Sequence, residues 1–235
     1  MSCRGAAPSV QRPRVHMNVA ATADGKIDTF LRRGALISSP RDRERVDRLR
    51  ADCDAVMVGS RTLHDEDPKL TVRSDALRAE RRARGLPDNP AKIAVAARLA
   101  LQPECQFLTA GPARVLLFTT PRTPAPEIAR LRSSGIQVFV QDAERVDLRQ
   151  VLSRLKQEGF QRLMVEGGAT LNFEMLRLGL VDELTIYVAP IVFGGESAPT
   201  LAGGAGLSNQ SAVPLKLLTA EKWVDGGVLL HYGVG

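Results

Sequence analysis

Apolar residues along the chain form short β-branched runs that alternate with stretches of helical spacing, a pattern typical of α/β proteins. The runs predict strands at 15–21, 55–58, 93–96, 115–119, 138–140, 163–165 and 184–191. The helical spacing predicts helices that start at Pro40, Pro126, Leu148 and Thr170. Two further runs, 215–223 and 228–232, flank the turn signal Asp225-Gly226-Gly227 with no helix between them. We therefore predict an α/β fold with a mainly parallel central sheet, helices on both faces and an antiparallel C-terminal strand pair.

The length and composition fit one domain. The chain has 235 residues, 44% of them hydrophobic, which is enough for a substantial core. We expect residues 1–13 to form a loosely ordered lead and residues 14–235 a single domain, with the arginine-rich stretch 74–90 as a surface excursion. No apolar run approaches the roughly 18 residues of a membrane-spanning helix, and residues 1–13 lack the apolar segment of a secretory signal. We therefore expect a soluble, cytoplasmic protein with no membrane partner.

The charge balance favours an anionic partner. The net charge is +6 and the pI is about 9.6, which suits either a nucleic acid or a phosphorylated metabolite or dinucleotide. Aromatic residues make up only 4% of the chain, which weighs against the stacking platforms of single-strand binders. Basic and acidic residues also alternate at 41–48, as on a solvated helix face.

The cysteines and histidines are scattered and show no recognisable spacing. They are Cys3, Cys53, Cys105, His16, His64 and His231. Their spacing indicates neither a zinc site nor a disulfide framework, although folding could bring two or three histidines together. We predict no bound metal.

Residues that suit ligand binding gather where predicted strands end. Thr22-Ala23-Asp24-Gly25-Lys26 follows the first strand, Gly59 ends the second, and Glu166-Gly167-Gly168 follows the strand at 163–165. Paired glycines, Gly194-Gly195, follow a fourth strand. Each segment alone is explained by a tight turn, a helix cap or a solvated loop. Ligands of open α/β sheets bind at the carboxyl ends of strands, so together the four segments predict a dinucleotide lying across the sheet edge.

Two common nucleotide signatures and a hydrolase signature are missing from the sequence. There is no Gly-x-Gly-x-x-Gly after the first strand, no Walker A motif and no Gly-x-Ser-x-Gly. A standard Rossmann site and a hydrolase triad are therefore not supported.

Three segments, taken in order, resemble the reductase family of riboflavin biosynthesis, which has a dihydrofolate-reductase-like fold. They are TADGKID at 22–28, RLRADCDAVMVGSRTLHDEDPKLTVR at 48–73, and LMVEGGATLNFEMLRLGLVDELTIYVAPIVFGGESAPTL at 163–201. The third segment is the most specific. Within the family, the resemblance is strongest to the stand-alone archaeal-type reductases of 2,5-diamino-6-ribosylamino-4(3H)-pyrimidinone 5′-phosphate.

The resemblance implies NADPH as the hydride donor, with NADH as the alternative. The acceptor would be C1′ of the open-chain imine of the ribosylamine, which becomes a ribitylamine. The cofactor contacts implied are Ala20, Thr62, Glu66, Gly167, Gly168, Ala169, Thr170, Leu171 and Asn172. The substrate contacts implied are Arg50, Leu70, Arg73 and Glu166. Physical chemistry agrees, since guanidinium groups suit a 5′-phosphate and glycines before a helix N-terminus suit a pyrophosphate.

The chain departs from the family pattern at three positions. Glu66-Asp67 replaces a pair of aspartates, Gly34 lies where a serine-rich segment often touches substrate, and Ala96-Ala97 replaces Asp-Ser at a strand end. We expect these changes to affect cofactor affinity and the details of substrate binding.

For the chemistry, we predict that Glu166 or Asp67 orients the substrate and keeps the imine nitrogen protonated. A second enzymatic interpretation keeps the fold and changes the acceptor to the deaminated 5-amino-6-ribosylaminouracil 5′-phosphate or to a pterin. A third interpretation, a non-catalytic basic module that binds nucleic acid, relies on the charge alone. Under the preferred interpretation the partners are the small phosphorylated pyrimidine and a second copy of the chain, with no nucleic acid. The apolar, glycine-rich tail from Val188 onward would form the homodimer interface.

Overall fold

The computed structural model describes residues 11–235, and within them nine strands form a single sheet. The strands are β1 (Arg14–Thr22), β2 (Ala55–Gly59), β3 (Ala91–Val95), β4 (Val115–Thr119), β5 (Gln137–Val140), β6 (Arg162–Val165), β7 (Glu183–Ala189), β8 (Leu215–Lys222) and β9 (Val228–Val234). Their order across the sheet is β5-β4-β3-β2-β6-β1-β7-β9-β8. The first seven in this order pair in parallel, and β9 joins β7 and β8 by antiparallel pairing. The predicted mainly parallel sheet with an antiparallel C-terminal pair is confirmed.

Helices cover both faces of the sheet. They are α1 (Pro40–Asp52), α2 (Asp75–Ala83), α3 (Gln106–Thr109), α4 (Ala125–Ser133), α5 (Leu148–Gln157) and α6 (Ala169–Arg177). A π-helical turn at Thr62–Glu66 and a 3-10 turn at Asn209–Ser211 complete the regular structure of the described residues. As the sequence predicts, α1 starts at Pro40, and the Ser39 side chain caps it by accepting a hydrogen bond from the Asp42 N–H.

The core consists of two apolar layers, one on each side of the parallel strands. Alternate residues of a strand point to opposite faces, so the same strands supply both layers. One layer packs the apolar side of α5, including Val151 and Leu155, with Met175 of α6, against Met17 and Met57. The other layer packs side chains of α1, α3 and α4 against neighbouring strand residues, which include Val56, Val58, Ala94 and Leu117. Strands that are buried on both faces explain the continuous apolar runs in the sequence.

The arginine-rich stretch 74–90 is more ordered than the sequence prediction. It contains α2, whose N-terminus is capped by Ser74. Arg81 of this helix is 1% exposed, and its guanidinium donates to the carbonyl oxygens of Ala51, Cys53 and Pro87 at 2.7–2.8 Å. The expected surface excursion is therefore wrong at this position, because Arg81 is buried and its guanidinium donates to carbonyl groups around the end of α1.

The start of the described chain is tied to the domain. Residues 11–13 belong to the stretch for which we expected a loose lead, and the rest of that stretch, 1–10, lies outside the described residues. Arg12 forms a two-pronged ion pair with Asp182, with N···O distances of 2.6 and 2.8 Å. Such paired donors fix the orientation of both groups. Among residues 11–235, no helix has the length and apolar character needed to cross a membrane.

Candidate functional site

A large cleft runs along the edge of the sheet where the parallel strands end. Its volume is about 1340 Å³, which exceeds the roughly 300–1,000 Å³ of a pocket for one drug-sized ligand. Ala20 near the end of β1, Gly59 at the end of β2, Ala96 after β3 and Glu166 after β6 all line it. Two of the four strand-end segments predicted to carry chemistry, Gly59 and Glu166–Gly168, thus share one wall, which has room for two ligands side by side. The other two, Thr22–Lys26 and Gly194–Gly195, do not line the cleft and contact each other instead, because the Gly194 N–H donates to Asp24 at 2.7 Å.

A glycine turn connects β6 to α6 on this wall. The peptide bond between Gly167 and Gly168 is cis, and Gly167 has a φ of +99°, a conformation that favours glycine. The Gly59 N–H donates to the Gly167 carbonyl at 2.8 Å, which holds the turn against the end of β2. A Cβ atom on Gly59 would lie 3.2 Å from the Cβ of Leu171, so the glycine allows α6 to approach the strand closely.

The N-terminus of α6 faces the cleft without a side-chain cap. Gly168 is the N-cap residue and has no side chain that could accept from the first-turn N–H groups. Ala169, Thr170 and Leu171, which supply those groups, line the cleft. Helix N-termini carry a partial positive charge, so this arrangement suits an anionic group of a ligand.

Asn172 of α6 is a buried residue of the same wall. Its side-chain amide is fully buried and donates to the Leu201 carbonyl at 2.9 Å, while its Oδ1 atom has no partner within the described structure. A buried oxygen without a donor is costly, so a ligand donor at this position would stabilise the structure.

Arg50 and Glu166 form a two-pronged ion pair on the floor of the cleft. The Nε and Nη2 atoms of Arg50 donate to the two carboxylate oxygens of Glu166 at 2.7 and 2.6 Å. The side chains are only 17% and 13% exposed. Burial lowers the pKa of Arg50, but the charge and hydrogen bonds of Glu166 outweigh burial and leave the pKa of Arg50 above its ordinary value. Two residues predicted to contact substrate separately are therefore joined in one ion pair.

The segment that follows β2 supplies a second carboxyl group to the cleft. Glu66 ends the π-helical turn, and its side chain packs against Gly34, where a Cβ would lie 3.4 Å from the Cγ of Glu66. Two of the departures from the family pattern are thus in contact, and the φ of +78° at Gly34 is a conformation that favours glycine. Burial raises the pKa of Glu66, and the nearby carboxylates of Asp28, Asp65 and Glu166 raise it further.

Asp67 has a different environment from Glu66. Its two carboxylate oxygens accept hydrogen bonds from the backbone N–H groups of Gln106 and Phe107, at 2.8 and 2.9 Å. The side chain caps the short helix α3, and Asp67 is the one predicted site residue that does not line the cleft. Its predicted catalytic role stays a prediction that these contacts do not favour.

Leu70 and Arg73 line the opposite wall. Leu70 is 1% exposed, and its φ of +50° is rare for a leucine. This residue forms part of the turn that directs the following residues toward the cleft. The buried carboxylate of Asp47 accepts from the backbone N–H groups of Arg73 and Ser74 at 2.7 and 2.9 Å. The Arg73 side chain is 51% exposed, and its nearest carboxylate, that of Asp47, is 3.6 Å away. Its Nη2 atom donates to the Arg43 carbonyl, and the exposed part of the guanidinium can still reach a ligand.

Two acids that were not among the predicted site residues hold the cleft in shape. Asp47 positions Arg73, as described above. Asp28, which is 6% exposed, accepts from the backbone N–H groups of Thr29, Gly34 and Ala35 and so shapes the loop over the cleft. Asp28 lies at the end of the quoted segment TADGKID, but Asp47 has no signal beyond its place on a charged helix.

The other predicted site residues all lie together at the cleft. Every residue predicted to bind cofactor or substrate lines the cleft: Ala20, Arg50, Thr62, Glu66, Leu70, Arg73, Glu166, Gly167, Gly168, Ala169, Thr170, Leu171 and Asn172. Their individual roles stay predictions. Ala97, the third departure from the family pattern, also lines the cleft, and its carbonyl accepts from Thr119 and Thr120.

Comparison with known proteins shows a consistent set of relatives. Residues 13–229 match the RibD C-terminal domain family. Two curated proteins named 2,5-diamino-6-ribosylamino-4(3H)-pyrimidinone 5′-phosphate reductase are each 40% identical to the chain. The one from Archaeoglobus fulgidus aligns over 82% of this chain and 87% of its own length. The one from Methanothermobacter thermautotrophicus aligns over 88% of this chain and 91% of its own length.

A solved structure supports the fold. A pyrimidine reductase-like protein from Corynebacterium diphtheriae superposes with a TM-score of 0.79 at 19% identity, over 95% of this chain and 92% of the other. At this identity the likeness extends to the fold alone.

The Arg50–Glu166 pair should contribute measurably to stability. In a double-mutant cycle with Arg50→Met and Glu166→Gln, we expect a coupling free energy of about 2 kcal/mol, because each single change leaves a largely buried charge unpaired. The matched control is the Arg48–Glu80 pair. Its arginine also lies on α1, but the two side chains are about half exposed, at 48% and 49%. Its coupling should be about 1 kcal/mol or less. Urea denaturation measures both, and equal couplings would contradict the assignment.

Proposed function

Because the chain belongs to the RibD C-terminal domain family, we propose that it reduces the ribosyl side chain of 2,5-diamino-6-ribosylamino-4(3H)-pyrimidinone 5′-phosphate to the ribitylamino form in riboflavin biosynthesis. The observation that carries the proposal is the cleft of about 1340 Å³, with an uncapped helix N-terminus on one wall and the half-exposed Arg73 on the other. One side suits the phosphates of a dinucleotide and the other suits a phosphorylated substrate. The protein is thus an oxidoreductase that takes a nicotinamide cofactor.

The residues present fit that cofactor. The first turn of α6 offers N–H groups to the pyrophosphate, and Gly167 and Gly168 keep side chains out of its path. The unpartnered Oδ1 of Asn172 gives this wall a buried acceptor for a cofactor donor. Thr62, Glu66 and the backbone of Ala20 would complete the contacts. We propose NADPH as the preferred form; when bound, it supplies the hydride.

Arg73 is the residue that we propose binds the substrate 5′-phosphate. Its guanidinium faces the cleft and is half exposed, and Asp47 holds its backbone in place. Arg50 contributes less directly, because two of its nitrogen atoms bind Glu166 and the third donates to the Thr71 carbonyl. We propose that the Arg50–Glu166 unit contacts the ribosyl hydroxyl groups, since a carboxylate accepts from hydroxyl donors.

The reaction needs a proton as well as a hydride. In the open-chain imine, C1′ gains the hydride and the nitrogen gains a proton, so the C=N double bond becomes a single bond. Both oxygens of Glu166 bind Arg50, and both oxygens of Asp67 bind backbone N–H groups. Glu66 is the cleft carboxyl group whose pKa burial raises. We therefore propose Glu66 as the proton donor and Glu166 as the group that orients the substrate.

The cleft also limits water at the reacting atoms. Leu70, Ile37 and Leu171 are buried residues of its lining and present apolar surface. Hydride transfer depends mainly on alignment of donor and acceptor, which these rigid walls would provide. The free thiols of Cys53 and Cys105 fit a reducing compartment, and we propose a cytoplasmic location.

The proposed reaction is tested by following NADPH oxidation with purified protein. We expect turnover with the diamino substrate, weaker turnover with its deaminated counterpart, none with a pterin, and a lower KM for NADPH than for NADH. Preference for the deaminated pyrimidine or for a pterin would replace the substrate assignment. No turnover with any of them, together with salt-sensitive DNA binding, would favour the nucleic-acid-binding interpretation instead.

The same assay tests the phosphate contact. Arg73→Ala should raise the KM for the phosphorylated substrate about tenfold or more, because a charge-assisted contact is worth roughly 1.5–3 kcal/mol, and should change little for the dephosphorylated form. Arg82→Ala is the matched control, since Arg82 pairs with Asp88 and does not line the cleft. Equal effects of Arg73→Ala on both substrates would contradict a phosphate contact.

Glu66→Gln should lower kcat about a hundredfold or more, because the amide cannot release a proton. In the wild type, kcat should fall as the pH rises through the pKa of Glu66, which lies above the ordinary value for glutamate. Glu66→Gln should lose this pH dependence, whereas Glu66→Asp should restore part of both the rate and the pH profile. A wild-type pH profile in Glu66→Gln would assign the proton to another group.

We also propose a homodimer formed through the exposed edge strand β8. Leu215, Leu217 and Leu218 of this strand are 43%, 52% and 47% exposed, and an edge strand with apolar side chains pairs readily with another chain. Light scattering should give twice the chain mass of 25.4 kDa. Leu217→Asp should give the single-chain mass, whereas Val224→Asp, at a 98% exposed turn position, should not. A single-chain mass for the wild type would exclude the dimer.

A further inference from the structure

The fold brings together two of the three histidines, which the sequence leaves far apart. His16 on β1 is the register partner of Glu183 on β7, and His231 on β9 is the partner of Thr185 on β7. Residues two apart on a strand share a face, so all four side chains lie on the same face of the sheet. The two imidazole rings stack with centroids 5.8 Å apart and an angle of 18° between their planes.

The ligating atoms of three of these residues already converge. One ring nitrogen from each histidine and a carboxylate oxygen of Glu183 lie within 4.8 Å of one another. His231 Nε2 is 2.8 Å from Glu183 Oε2. Bonds of roughly 2.1 Å to a tetrahedral zinc ion place its ligand atoms about 3.4 Å apart, so small side-chain rotations would complete such a site. We propose that His16, Glu183 and His231 bind a divalent transition-metal ion, Zn²⁺ in the first instance.

The surroundings of the three ligands support this assignment. Arg14 donates to the other carboxylate oxygen of Glu183, at 3.0 Å from its Nε atom, which leaves Oε2 turned toward His231. Outer partners of this kind orient metal ligands. The Thr185 hydroxyl lies 2.7 Å from His16 Nε2, a hydrogen bond that helps to orient the imidazole ring. The combination of two histidines, one carboxylate and one open position is a common zinc ligand set.

Burial and charge set the character of the site. The side chains of His231 and Glu183 are 29% and 20% exposed, so an ion can enter and is still shielded from bulk water. Positive charge from Arg12 and Arg14 is matched by Asp182 and Glu183 next to the site. None of the three ligands lines the cleft, so the metal site is separate from the proposed reaction and its test does not depend on activity.

Calorimetric titration of chelator-treated, tag-free protein with Zn²⁺ tests the proposal. We expect one ion per chain in the wild type and loss of that binding in His16→Ala and in His231→Ala. Arg14→Ala should keep the stoichiometry and weaken binding about tenfold, because it removes only the orienting partner. His64→Ala removes the third histidine and Cys105→Ser removes a partly exposed thiol, and both should bind like the wild type.

A second measurement covers the case in which a histidine variant fails to fold. Co²⁺ added to the wild type should give the intense visible absorption of a four-coordinate site, and Zn²⁺ should abolish it by displacement. A weak six-coordinate spectrum, or no Zn²⁺ bound by the wild type, would reduce the cluster to a hydrogen-bonded group without metal. Binding that survives in both folded histidine variants would place the ion elsewhere and overturn the assignment.

Discussion

The parallel pairing of β6 between β1 and β2 is the constraint on which the site depends. Val165 is the register partner of Met17 on one side and of Met57 on the other, so the three strands run level to the sheet edge. The Glu166 N–H still donates to the Met57 carbonyl at 3.0 Å, which fixes the backbone where the carboxylate enters the cleft. The glycine turn and the N-terminus of α6 follow within three residues. Any change in this register would move the acid and the helix away from the other walls of the cleft.

Charge is organised differently inside and outside the cleft. On the outer surface, many arginines of this basic chain are neutralised by acids close to them, as in the Arg48–Glu80 and Arg114–Glu158 pairs. On the cleft floor, Glu166 neutralises Arg50, whereas the half-exposed Arg73 has only a longer contact, 3.6 Å, to the Asp47 carboxylate. A phosphorylated ligand would therefore meet cations other than Arg50, because Arg61, Lys69 and Arg73 also line the cleft. This distribution gives the high pI a physical role at the cleft.

Much of the fold and much of the site followed from the sequence. Apolar runs buried on both faces identified the parallel strands, and Ser39-Pro40 marked the start of α1, because these are local signals. The helix α2 was missed because its only buried apolar side chain is Leu77, and the other anchor, Arg81, is buried by donating to carbonyls far away in sequence. Asp67 was grouped with Glu66 because they are neighbours in the chain, but a left-handed backbone at Asp67 turns it toward α3.

The sequence by itself determined the order of the strands and helices and the residue types at the strand ends, because both depend on periodicity and on turn chemistry. Only the tertiary structure decided which charged groups pair. Arg50 meets Glu166 because α1 packs on the strands beside β6, and Gly34 meets Glu66 because a loop folds back over the cleft. His16 meets His231 because β7 separates β1 from β9 and brings their side chains to one face. Contacts of this kind arise from strand order and packing, which residue spacing along the chain does not encode.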